Sequence, residues 1–133
     1  MESKIKMASL LLFAVFSLSI MSGVSAAHTN STKIIPVNKT INAHENKNFT
    51  IALESNPSTG YSWIIQYNPK HFKLVGTVFI PNKNPKLDGA PGVEKFIFKP
   101  LVKGEAKIDF KYLRIWDKKH PGKEIIYHVK ISK

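Results

Sequence analysis

The chain has 133 residues, a formal net charge of +11 and no cysteine. That length accommodates one domain with a single core. The absence of cysteine excludes thiol catalysis, CxxC redox chemistry, cysteine-ligated zinc and disulfide stapling, so packing alone must hold the fold.

Residues 1–26 read as a cleaved signal peptide, with the cut falling after 26 or 27. Lys4 and Lys6 form a basic start, Met7 to Met21 is apolar, and Val24-Ser25-Ala26 offers a small-residue cleavage site. The apolar run is too short to cross a membrane, and no later segment is long or apolar enough. The expected domain is therefore 27–133, carrying a net +10 once Glu2, Lys4 and Lys6 are removed. Its lysines are scattered, which suits a solvated face with some steering toward an acidic partner. Asn30, Asn38 and Asn48 each head an Asn-x-Thr sequon and are candidate glycosylation sites. The triplet starting at Asn56 is excluded by Pro57.

Residues 33–37 suggest an edge strand, because Pro36 cannot donate to a ladder. From Asn48 to Glu54, Phe49, Ile51 and Leu53 alternate with polar neighbours. Tyr61–Tyr67 puts Trp63, Ile65 and Tyr67 on one side, so Trp63 is expected in the core. Phe72–Ile80 is a further apolar run that Gly76 interrupts, as at a bulge. After a long loop over 81–92, Val93–Lys99 turns Phe96 and Phe98 inward. Ala106, Ile108, Phe110 and Tyr112 alternate with Lys107, Asp109 and Lys111. Ile125, Tyr127, Val129 and Ile131 repeat the pattern. Outside the signal peptide no stretch of helical length has a 3.6-residue apolar stripe. About seven or eight short strands of this kind predict an all-β, immunoglobulin-like β-sandwich, with a β-barrel as the alternative.

Three loops stand out: 56–61, 81–92 and 114–122. In Asn56-Pro57-Ser58-Thr59-Gly60-Tyr61, Pro57 fixes its own φ and Gly60 permits positive φ. Asn56, Ser58 and Thr59 can hydrogen-bond back to the loop backbone. A short, self-braced tip results, which loses little entropy on entering a cleft. Counted along the chain, the first loop closes strand two and the third closes strand seven. A Greek-key sandwich can bring such loops to one end. Trp116 lies off the strand pattern beside Asp117-Lys118-Lys119 and is expected to be exposed. Arg114 is the only arginine. Tyr61 is expected to support the loop.

These motifs resemble the chagasin family of cysteine peptidase inhibitors. That family carries an Asn-Pro-Thr-Thr-Gly-Tyr loop, a glycine-rich loop before a Phe-x-Phe strand, and an Arg-Pro-Trp loop. Here Asn56 to Tyr61 with Trp63, Gly89-Ala90-Pro91-Gly92 before Phe96-Ile97-Phe98, and Arg114-Ile115-Trp116 occur in the same order. Ser58 replaces a threonine but keeps the hydroxyl, Ile115 replaces the proline, and Pro91 stands where the family is richer in glycine. The resemblance implies a reversible, tight-binding inhibitor whose three loops wedge into the active-site cleft of papain-like cysteine peptidases, endogenous or host. Thr59 would approach the catalytic cysteine, and Trp116 would stack on an aromatic wall with Arg114 beside it. Gly89, Ala90, Pro91 and Gly92 would touch the opposite wall through their backbone. No cofactor, nucleic acid or stable membrane insertion is implied, and the expected unit is a monomer forming 1:1 complexes.

The residues argue against catalysis on their own terms. His28, His44, His71, His120 and His128 have no metal-ligand spacing. Glu94 and Asp109 are read as outward strand residues, and no paired carboxylates suggest acid–base work. Ser58 lacks a nucleophile-elbow context. An adhesion or carbohydrate-binding module using the same loops is the alternative, and a cationic domain binding anionic membrane or nucleic acid is a third. Residence in the secretory lumen is expected, whether in lysosome, phagosome or other vesicles or after secretion.

Overall fold

The computed structural model describes residues 33–84, 86 and 88–133. The expected signal peptide 1–26, the start of the domain at 27 and Asn30 lie outside the described residues. Seven strands follow: β1 (Val37–His44), β2 (Phe49–Ser55), β3 (Tyr61–Tyr67), β4 (Phe72–Ile80), β5 (Gly92–Pro100), β6 (Gly104–Arg114) and β7 (Lys123–Ser132). One sheet has the order β1-β7-β6-β3 and the other β2-β5-β4. β1 runs parallel to β7, and the other pairs are antiparallel. The described residues are thus all-β, in two separate sheets rather than a closed barrel.

The alternation that marks the strands also builds the core. Ile51 and Leu53 from β2, Trp63 from β3, Phe96 and Phe98 from β5, Ile108 and Phe110 from β6, and Tyr127, Val129 and Ile131 from β7 are all buried. Phe98 sits at the centre. It meets Tyr67, Phe72 and Phe110 edge to face, with centroids 5.4, 6.2 and 6.3 Å away, and stacks on Phe49 at 5.9 Å. Such pairs add about 0.5–1.5 kcal/mol each beyond area burial. Trp63 is core, as its parity implies, at 8% exposure. Its indole N–H donates to the Glu54 carbonyl at 3.0 Å, which satisfies its one polar atom.

The first edge strand is displaced from its expected place. Residues 33–36 form no strand, and β1 begins at Val37, where the expected strand ended. Pro36 precedes the ladder instead of sitting in it, as a residue without an N–H should. The residues after Val37 hide their alternation because only Ile41 and Ala43 pack on the core. The irregularity at Gly76 is real: the β4–β5 register shifts between Leu74 and Gly76. Glu94 is not outward. It pairs with the buried Leu53 and shares the parity of Phe96, so it is half-buried on the inner side. Asp109 does take the outer face, yet one carboxylate oxygen is shielded and unpartnered among the described residues.

Candidate functional site

Strand register decides where the three loops lie. Ser55 pairs with Gly92 and Ile80 with Val93, so β2, β4 and β5 meet the loops at one end. Tyr61 pairs with Arg114 and Tyr112 with Lys123, so β3, β6 and β7 do the same. All three loops therefore cluster at one pole. The third closes β6, not a seventh strand, because one long hairpin, β6–β7, ends the chain.

The first loop is braced from within. Pro57–Thr59 forms one 3-10 turn between Asn56 and Gly60. The Thr59 and Gly60 amides donate to the Asn56 and Pro57 carbonyls at 3.2 and 3.1 Å. The Thr59 hydroxyl donates to the Asn56 carbonyl at 2.6 Å, and the Ser58 hydroxyl donates to the Asn56 side-chain oxygen. Gly60 adopts φ +77, the left-handed conformation that favours glycine.

Asn56 also ties this loop to its neighbours. Its side-chain amide donates to the Gly89 carbonyl at 2.8 Å. Its backbone N–H donates to the Tyr112 hydroxyl at 2.7 Å. Gly89, at φ +71, thus presents its carbonyl to the first loop while Ala90 is half-buried and Pro91 exposed. Gly92 is no longer loop. It is the buried first residue of β5, where a Cβ would lie 2.4 Å from the Ile80 carbonyl oxygen.

The third loop closes the arrangement from the other side. Trp116 is 71% exposed and Ile115 67%. A Cβ on Gly60 would lie 2.5 Å from Trp116 Cη2, so the indole rests directly over Gly60. The Arg114 Nε–H donates to the Thr59 carbonyl at 3.3 Å, and its guanidinium lies 4.6 Å from the Tyr61 ring centroid. Tyr61 in turn stacks on Tyr112 at 5.1 Å. Arg114, Tyr61 and Tyr112 form a column that supports the first loop, the role expected of Tyr61. Asn56, Pro57, Ser58, Thr59, Gly60, Tyr61, Gly89, Ala90, Arg114, Ile115 and Trp116 are thereby gathered at one end, with Pro91 and Gly92 at its margin.

Tyr112 is the contributor that sequence reasoning missed. Its alternation marked it as an inward residue, and nothing in the local pattern shows that its hydroxyl reaches Asn56. A shallow groove of about 370 Å³ lies between Pro57, Ser58, Phe79 and Ala90. A larger one, about 520 Å³, lies around Gln66, His71 and Asp109, away from the loops. Of the sequons, Asn48 is exposed at the opposite pole. Asn38 on β1 accepts a hydrogen bond from His128 Nε2 at 3.0 Å.

Comparison with known proteins matches this frame. Residues 42–131 match the model of the chagasin family of peptidase inhibitors, I42. Amoebiasin-2 of Entamoeba histolytica is 32% identical over 121 residues, covering 90% of this chain and 97% of that protein. The crystal structure of the cysteine protease inhibitor EhICP2 from Entamoeba histolytica superposes with a TM-score of 0.64. It is 31% identical over 74% of this chain and 96% of that one. PbICP-C, solved in complex with falcipain-2, shares the fold at a TM-score of 0.54 and 24% identity, over 74% of this chain and 91% of that one. With its strands, its loop motifs and a match over most of its length, the chain belongs to the chagasin family of peptidase inhibitors.

Proposed function

We propose that this chain is a reversible, tight-binding inhibitor of papain-like cysteine peptidases, and that its three loops enter the active-site cleft as one wedge. One observation carries the reading: Asn56 holds Gly89 while Trp116 lies across Gly60, so three separate loops form a single edge at one end. EhICP2 is a cysteine protease inhibitor, and that activity is carried to this chain here.

The physical case rests on preorganisation. A tip already bonded to itself loses little freedom on binding. Pro57 and Gly60 bend the chain away from the extended form that a peptidase cleaves, which leaves the thiolate blocked and the loop intact. Nanomolar affinity needs about −12 kcal/mol, within reach of an interface of roughly 1,600 Å² that has good anchors. The exposed indole of Trp116 is the leading anchor.

The reading extends to an immunoglobulin-like topology, a monomer binding 1:1, and residence in the secretory lumen after removal of 1–26. Glycans on Asn48 would sit at the pole away from the wedge. Purified 27–133 should inhibit papain or a cathepsin L-type peptidase competitively at nanomolar concentration. Full peptidase activity at micromolar inhibitor would refute the proposal.

A further inference from the structure

The charge at the loop end is uneven. Residues 56–61 carry none, 81–91 carry Lys83 and Lys86 against Asp88, and 114–123 carry Arg114, Lys118, Lys119 and Lys123 against Asp117 alone. The neighbouring acids are already engaged. Asp117 accepts a hydrogen bond from His120 Nδ1 at 2.8 Å. Glu54 lies 3.8 Å from Lys123, and Glu124 lies 3.6 Å from Lys111. Among the described residues, no carboxylate comes within ion-pair distance of Lys118 or Lys119. Both lysines are exposed, two and three residues past the indole of Trp116.

A lysine pair on a floppy loop would be only a solvated face. This loop is tied down. The Asp117 amide donates to the Arg114 carbonyl at 2.9 Å, His120 to Asp117 at 3.4 Å, and Gly122 to the Tyr112 carbonyl at 2.7 Å. The backbone that carries Lys118 and Lys119 is thus held beside Trp116, at the end of the molecule where the three loops meet. Exposed charges at that end act on the approach of a partner more than on the final contact.

We propose that Lys118 and Lys119 select, among papain-like peptidases, those whose cleft rim is acidic on the side that receives Trp116, and that they do so through the association rate. This rests on the inhibitor reading above. The partner class it names is a peptidase with exposed carboxylates within about a Debye length, ~10 Å at moderate salt, of the docked third loop. Neither Lys118 nor Lys119 belongs to the wedge residues themselves, so reversing them leaves the anchors in place.

The test compares the unmodified domain with Lys118→Glu/Lys119→Glu by stopped-flow association and dissociation, across ionic strength. The peptidase is a cathepsin L-type enzyme with an acidic rim, alongside the same enzyme with those acids changed to Lys. Against the acidic rim, the double variant should associate at least about tenfold more slowly at low salt, with dissociation changed less than about twofold. The difference should vanish at high salt, and the Lys rim should restore the variant's rate. An inhibitor that works equally well at all salt concentrations, or a double variant with unchanged association, overturns the electrostatic selection and leaves the inhibitor reading standing. A domain that inhibits neither enzyme overturns both.

Discussion

Gly60 and Trp116 show how a single position ties two distant loops together. Gly60 combines a left-handed backbone with an indole where its side chain would begin. Gly60→Ala therefore meets strain and a steric clash at once. It should lower stability by about 1–2 kcal/mol and weaken inhibition at least tenfold, because the displaced indole leaves its anchor position. Thermal melts and inhibition constants on the same preparation check both effects. Trp116→Ala separates them. At 71% exposure the indole contributes little to the core, so the melting temperature should hold within about 2 °C. Loss of a 2 kcal/mol anchor should raise the inhibition constant about 30-fold. An unchanged inhibition constant would remove Trp116 from the binding surface. The two tryptophans were separable in the sequence because Trp63 keeps strand parity and Trp116 does not. The hydrogen bonds from Asn56 to Gly89 and Tyr112 were not, since they join residues 33 and 56 positions apart.

At the level of the strands, legibility tracks how apolar each strand's sequence is more than how much of it is buried. β3 and β4 run from Tyr61 to Tyr67 and from Phe72 to Ile80, as the alternation of the first and the apolar run of the second imply. β1 is displaced from its expected place because Asn38, Lys39, Thr40 and Asn42 are polar and only Ile41 and Ala43 reach the core, whereas β4 stays apolar even where it is exposed. Glu94 departs from its expected outward place for a different reason. It keeps the inward parity of Phe96, but at the end of the sheet, where the core thins and a carboxylate is tolerated half-buried. The β4–β5 hairpin carries the second loop, and Gly92 lets it close. A Cβ there would lie 2.4 Å from the Ile80 carbonyl oxygen and 2.7 Å from the Phe79 ring. Gly92→Ala should cost about 2 kcal/mol or more by overpacking. It should also loosen the loop at 89–91, seen as a lower urea midpoint and faster amide exchange there. A variant as stable as the parent would show that the hairpin has slack at this point.

For the molecule as a whole, the two sheets hold the three loops together at one end. The sandwich has no disulfide to lean on, so aromatic packing around Phe98 must keep the loop ends of β2, β3, β5 and β6 in register. The loop motifs could be read in order along the chain. Their meeting at one pole follows from strand pairing, which local composition does not encode. Amide hydrogen exchange of the domain bound to a catalytically inactive papain-like peptidase tests that meeting most directly. Protection should appear together at 56–61, 88–91 and 114–117, while the turns at 45–48, 68–71 and 101–103 exchange as in the free domain. Protection of those far turns, or of one loop without the other two, would contradict a three-loop wedge.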